Sequence, residues 1–231
     1  MRIDVWSDVV CPWCWIGKRR LERALALLGD AAPEVELHSH PFLLDPEAGS
    51  EPVPLREAYA RKFGGAERSA QMLASTQATA RAEGLPFDFD RGQVRVTTLP
   101  AHRLLWLAAR EGGAGRAAEA LFHAHFAEGR NLADPGVLVA AGQAAGLPEA
   151  RIRALLAGDE GEAEVRAQVA QAQAMGIRSV PTFVIDGRHV VQGAQPPDLF
   201  AQALRRAGAV AAAAPEAGTG DAACGPDGRR A

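Results

Sequence analysis

Cysteine is scarce in this chain, with three in 231 residues. That excludes a small scaffold stapled by disulfides, which needs several pairs in a shorter sequence. Lysine is scarcer still: Lys18 and Lys62 are the only two, and the remaining basic residues are arginines. Together with the heavy use of alanine, this reflects codon habit rather than chemistry. A surplus of either charge is also missing, with 25 Lys+Arg against 28 Asp+Glu and a net charge of −3. A nucleic-acid binder would show a basic excess or stripe, so no nucleic-acid partner is expected, and nothing in the charge favours an anionic membrane. No run approaches the roughly 18 apolar residues of a membrane span; the longest, from Ala209 to Ala214, stops at Pro215. A leader's apolar stretch would have to overlap the first two cysteines. The expected location is therefore the cytoplasm, where a Cys-x-x-Cys is catalytic or metal-binding rather than structural. The 48% apolar content is enough for a sizeable core. The length fits one large domain, or one domain carrying an insertion.

The hydrophobic pattern points to the second of these. Residues 2–8 alternate through Ile3, Val5 and Ser7 as a strand does. From Pro12 the period becomes helical, with Leu21, Leu25 and Leu28 on one face and Gly29 as a stop. Residues 34–40 alternate again and end at Pro41. The opening is thus a strand–helix–strand unit over 1–45, with cysteines at the start of its helix. Residues 50–175 read as an all-helical insertion, with helices expected at about 55–63, 66–83, 101–110, 116–127, 135–145, 148–157 and 161–175. Two strands follow at 182–185 and 189–192, around Asp186-Gly187, a strong hairpin signal. A last helix is expected over 197–206, so that 177–207 completes the first unit. Residues 208–231 turn to Ala, Gly, Pro and Asp and are expected to be a disordered tail.

The chemistry is concentrated in Cys11-Pro12-Trp13-Cys14, where a strand hands over to a helix. Free N–H groups and a partial positive charge at a helix N-terminus stabilise negative charge on sulfur, which makes Cys11 the expected nucleophile. Cys14, one turn further inside, is placed to resolve a mixed disulfide. The competing readings are half of a zinc site and two chance cysteines. Zinc asks for about four ligands, and neither Cys224 nor the six histidines supply a matching spacing, so no metal is expected. His123 and His125 diverge on a helix. His38 and His40 share a strand face but lack a third ligand. Trp13 and Trp15 are candidates for lining a substrate surface, and Trp13, between the cysteines, must be partly exposed. Trp6 and Trp106 are expected in the core, His102 as a satisfied structural histidine, and Asp8 in a turn or facing solvent, with proton transfer from Cys14 as its alternative role.

A second motif, Ser179-Val180-Pro181-Thr182, precedes a strand. Proline is tolerated at a strand's first position in any protein. Paired with an upstream Cys-x-x-Cys, however, it resembles the thioredoxin superfamily, whose members carry a cis-proline beside the cysteines. The resemblance narrows with Ser-Asp-Val-Val-Cys-Pro-Trp-Cys-Trp-Ile-Gly from Ser7, Thr97-Thr98-Leu99-Pro100-Ala101-His102-Arg103, and Gly176-Ile177-Arg178-Ser179-Val180-Pro181-Thr182-Phe183. These are similar to the DsbA-family oxidoreductases of the FrnE type, over essentially residues 1–207. The resemblance implies a thioredoxin-like α/β fold with an inserted helical domain, and thiol–disulfide exchange with Cys11 as nucleophile and Cys14 as resolving thiol. It implies Pro12, Trp13, Val180 and Pro181 as the substrate-contacting residues, with Val180–Pro181 in cis. The redox-active disulfide itself is the only cofactor implied. Substrates would be thiols or disulfides of proteins or small molecules; a homodimer is compatible with this reading. The architecture is also similar to 2-hydroxychromene-2-carboxylate isomerases and kappa-class glutathione transferases. The alternative is therefore a glutathione-dependent isomerase or transferase acting on an aromatic small molecule. Those enzymes carry serine at the nucleophile position, which the two cysteines here argue against; glutathione remains compatible as a cosubstrate. Periplasmic DsbA has Pro-His between its cysteines where this chain has Pro12-Trp13. Relatives often carry a second tail cysteine, whereas Cys224 stands alone and is expected to be a free thiol.

Overall fold

The computed structural model describes residues 1–213. Cys224 and the rest of 214–231 lie outside the described residues. A four-stranded sheet, ordered β2-β1-β5-β6, is built from β1 (Arg2–Ser7), β2 (Glu36–Pro41), β5 (Thr182–Ile185) and β6 (His189–Gln192). β1 and β2 run parallel and are joined by helix α1 (Pro12–Leu28), while β5 and β6 are antiparallel additions to β1. The β5–β6 connection is the expected Asp-Gly turn, with Asp186 (φ 47°) and Gly187 (φ 67°) both in the left-handed region such hairpins require.

Register decides which side chains meet. Ile3 lies opposite Ile185, and Val5 opposite Phe183. Cross-strand partners share a face, so these four form one apolar surface. Onto it pack Leu21, Ala24 and Leu28 of α1 and Phe200 and Leu204 of α9 (Pro197–Ala213), all at most 8% exposed. Both helices present apolar residues at i, i+3/i+4 and i+7 spacing, which gives each one buried stripe. Helix α9 continues to Ala213, seven residues past the end the pattern suggested, because its alanines leave the helical period unbroken. The other face of β1 is covered as well. Asp4 and Trp6 are buried there, with Trp6 stacked on His40 at 4.7 Å and His40 Nε2 2.7 Å from Asp4 Oδ1.

Between β2 and β5 lie α2 (Leu55–Phe63), α3 (Ala66–Ala82), α4 (Leu99–Arg110), α5 (Ala114–Phe126), α6 (Pro135–Ala144), α7 (Glu149–Ala157) and α8 (Glu162–Ala174), each within two residues of its expected bounds. The start of α6 has a clear cause: Pro135 follows Asp134, whose carboxylate accepts from the Gly136 N–H at 2.7 Å. One short feature carried no sequence signal. Residues Val53–Pro54 (β3) and Val94–Arg95 (β4) pair antiparallel, and two-residue strands are too short to show a period. Helices α4 to α7 close around Leu104, Leu121, Leu138, Ile152 and Leu155. A separate aromatic cluster of Trp15, Phe87, Phe89, Phe122 and Phe126 fills the space between the start of α1 and the insertion, and Cys11 and Cys14 belong to it.

Candidate active site

β1 ends at Ser7, and the chain turns so that the Cys11 N–H donates to the Asp8 carbonyl at 3.0 Å. Pro12 then opens α1, at a position where its missing N–H costs nothing. Cys11 is the cap residue (φ −89°, ψ 111°), yet its side chain bonds to none of the helix's free N–H groups. Its sulfur instead reaches the Val180 carbonyl at 3.7 Å, across 169 residues of sequence. No acidic residue occupies the first turn of α1, so the positive end of the helix faces Cys11 unopposed. The Val180–Pro181 bond is cis, as expected.

The two thiols are both free and both buried, each 3% exposed. Cys14, expected one turn further inside, is no more buried than Cys11; what separates them is what each one faces. Cys11 lines a cavity of about 680 Å³, open on one side and walled by Trp13, Leu55, Tyr59, Leu73, Val96 and Val180, among others. Cys14 does not line it. Burial pushes the Cys14 thiol well above its ordinary value, and the hydrogen bond to the Cys11 sulfur adds to this. Cys14 therefore stays a protonated thiol at neutral pH until its surroundings change.

Beneath the pair, the structure corrects the reading of Asp8. It does open a turn, its carbonyl accepting from the Cys11 N–H, but it does not face solvent: it is fully buried. Its carboxylate accepts from the Leu44 N–H at 2.8 Å and lies 3.3 Å from His102 Nε2. His102, 2% exposed on α4, is thus a satisfied histidine and a wall of the site at once. His125, on α5, is also buried and held down to about 4, chiefly by desolvation, while the Asp8 charge and a backbone hydrogen bond to Arg130 pull the other way. Its Nδ1 has no hydrogen-bond partner among the described residues. Asp8, His102 and His125 come from three segments that no local pattern could join; the only sequence signal was that Asp8 and His102 sit in motifs carrying the family resemblance.

Trp13 is 41% exposed, as a residue between the cysteines must be. Trp15 is the opposite of its expected surface role. It is 1% exposed, stacked on Phe122 and Phe87, with its indole N–H donating to Glu119 at 3.0 Å. It forms the floor under the two cysteines, and truncating such a buried aromatic costs about 3–5 kcal/mol. Trp6 is core, as expected, but Trp106 is only half-buried, with the Arg110 guanidinium over its ring. Gly17, which the sequence reading passed over, lets α1 approach β5: a Cβ there would stand 3.0 Å from Pro181 Cγ. His38 and His40 are paired with Glu36 and Asp4, and no metal-ligand cluster exists among the described residues.

A model of the DsbA-like thioredoxin domain matches residues 2–205. The chain belongs to that family. A probable DsbA oxidoreductase of Streptomyces coelicolor is 36% identical, with a TM-score of 0.86, and the match covers 99% of this chain and 97% of that one. The uncharacterised protein YwbO of Bacillus subtilis is 27% identical over 212 residues, 88% of this chain and 96% of its own. The cytosolic disulfide reductase DsbM of Pseudomonas aeruginosa shares the fold, with 23% identity and a TM-score of 0.62 over 91% of this chain and all of its own. Membership accounts for the thioredoxin-like sheet with its helical insertion and supports a thiol oxidoreductase. Among the described residues no helix is long and apolar enough to cross a membrane.

Proposed function

We propose that the protein exchanges thiols and disulfides through Cys11 and Cys14, without a metal or organic cofactor. One observation carries this reading: two free thiols share one helix turn, one at the helix's positive end and lining a cavity, the other sealed behind it with its thiol bonded to the first. In the reducing direction the Cys11 thiolate attacks a substrate sulfur and forms a mixed disulfide, expelling the other half of the substrate as a thiolate. Cys14 then attacks the Cys11 sulfur, the second thiol leaves, and the protein is left with a Cys11–Cys14 disulfide. Two electrons have passed from protein to substrate, and an external dithiol restores the pair. The reverse sequence oxidises a dithiol, and the partner's potential selects the direction. Pro12 and Trp13, between the cysteines, and Val180 and Pro181, across from them, frame the reacting sulfur.

A glutathione-dependent isomerase needs one activated group and has no use for Cys14. The sealed second thiol therefore favours exchange, with glutathione fitting as a reductant. The test is turnover of bis(2-hydroxyethyl) disulfide with dithiothreitol as electron donor. Wild-type protein accelerates it and Cys11→Ser does not. Equal rates for the two proteins would overturn the reading.

A further inference from the structure

The cavity at Cys11 narrows what that exchange acts on; this step rests on Cys11 being the nucleophile. At about 680 Å³ the cavity has the volume of a small-molecule site. Cys11 lies within it at 3% exposure, under Trp13 and the insertion's α2 and α3. A disulfide on a folded protein would have to extend a loop into this space, whereas a small disulfide enters whole. The walls are mostly apolar, and three aromatic rings line them: Trp13, Tyr59 and Phe63. The rim has a sign. It carries three cations, Arg61, Lys62 and Arg95, and one carboxylate, Asp45, in a chain whose net charge is −3.

Most of these polar groups are already engaged. Arg95 holds Asp45 at 2.5 Å, Arg61 pairs with Glu57, and the Thr76 hydroxyl donates to the Met72 carbonyl at 2.9 Å. Apart from the Trp13 indole N–H, two lining side-chain groups have no hydrogen-bond or ion-pair partner among the described residues: the Lys62 ammonium, 5.7 Å from the centre of the Phe63 ring, and the Tyr59 hydroxyl. They stand three residues apart on α2, and so on one face of it. Burial, with the charges of Cys11 and Asp8, pushes the Tyr59 hydroxyl up to about 12, so it remains a hydrogen-bond donor at any working pH.

We infer that the cavity is built for low-molecular-weight thiols and disulfides with an aromatic body and a carboxylate, the ring lying among Trp13, Tyr59 and Phe63 and the carboxylate meeting Lys62. In the reducing direction, Cys11 takes one half of the disulfide as a mixed disulfide and the other half leaves as an aromatic thiolate. Attack by Cys14 frees the first half, and a dithiol donor re-reduces the protein, so one disulfide yields two thiols for two electrons.

The experiment compares bis(3-carboxyphenyl) disulfide with its dimethyl ester, each turned over with dithiothreitol. For wild type, kcat/KM for the acid should exceed that for the ester by about tenfold, the scale of one charge-assisted hydrogen bond. Lys62→Gln should bring that ratio near one and Lys62→Glu should invert it, while Tyr59→Phe should raise KM for both compounds without moving the ratio. A wild-type ratio near one, or a ratio unmoved by both Lys62 variants, overturns the inference. A non-reactive thioether of the same acid, titrated calorimetrically into the reduced protein, separates the two levels of the reading. If no disulfide is turned over but the thioether binds and Lys62→Glu abolishes binding, the exchange reading fails while the cavity assignment stands. If the generic disulfide is turned over and the thioether does not bind, the assignment fails alone.

Discussion

The two cysteines are buried to the same extent, yet they face unlike halves of the molecule. On the Cys11 side are a cavity, an exposed tryptophan, the Val180 carbonyl and a rim of cations. On the Cys14 side are Asp8, His102 and His125, each at most 2% exposed, above a stacked aromatic floor. Under the proposed exchange, exposure is a poor guide to which thiol reacts first. The field at the helix terminus and the open space beside it set Cys11 apart. Desolvation holds Cys14 in its neutral form.

The strongest test of this division is to remove the sealed thiol. Without Cys14, a mixed disulfide on Cys11 has no neighbour to resolve it, and the advantage of intramolecular attack is lost. Cys14→Ser should prolong that intermediate about a thousandfold or more, read as the lifetime of the adduct mass after mixing with a disulfide. Rapid release in the variant would mean that the two sides are not divided as described.

The next test concerns the cost of keeping the inner side dry. His125 sits at about 4 in the folded protein, below its ordinary 6.5. Between those values the unfolded chain binds the proton more readily. The stability tied to neutral His125 is therefore intact above pH 6.5 and is lost as pH falls toward 4, by roughly 3 kcal/mol over the window. Paired carboxylates such as Glu83 also fall away in acid, so the useful quantity is a difference. In urea unfolding at pH 7, 5.5 and 4, His125→Leu should lose less stability than wild type by about that amount. Parallel curves would show that the ring does not resist protonation.

Asp8 sharpens the comparison with a smaller effect. Its charge is the last of the influences raising Cys14, behind burial and the Cys11 thiol. Asp8→Asn removes that charge while keeping an acceptor for the Leu44 N–H. The pH profile of the resolving step should move to lower pH, measured by single-turnover release across pH 6 to 9.5. An unmoved profile would leave Asp8 as a strut for Leu44 and His102.

Much of the open side was legible in the sequence, and little of the sealed one. Cys11-Pro12-Trp13-Cys14 and Val180-Pro181 are local motifs with a local mechanism, and the strand and helix periods around them were strong enough to place most elements within two residues. Asp8, His102 and His125 converge from β1's end, α4 and α5, and a pairing across 94 residues leaves no periodic trace. Trp15 was misjudged for a related reason. Adjacency to the motif said surface, but a helix turns about 200° in two residues, which carries Trp15 from the side of Trp13 to the aromatic core. The β3–β4 pair and the cationic rim depend on how the insertion folds back over α1, which no local pattern reports.

The smallest effect tests the spacing between the two sides. Gly17 lies one turn beyond Cys14 on α1, and a Cβ there would meet Pro181 Cγ at 3.0 Å, Phe183 Cζ at 3.3 Å and Ala194 Cβ at 3.5 Å. Alanine removes the backbone freedom of a mid-helix glycine, worth about 1 kcal/mol in favour of folding, and overpacking by one methyl costs about 1 kcal/mol or more in the other direction. The two nearly cancel, so the melting temperature of Gly17→Ala should stay close to that of wild type. The geometry does not cancel. To accommodate the methyl, α1 and the Pro181 strand must separate by a few tenths of an ångström, and the Cys11–Val180 contact at 3.7 Å lies on that seam. Exchange should therefore slow about threefold, under 1 kcal/mol of barrier, with stability nearly unchanged. A variant that loses stability and keeps its exchange rate would show that the close approach serves packing alone.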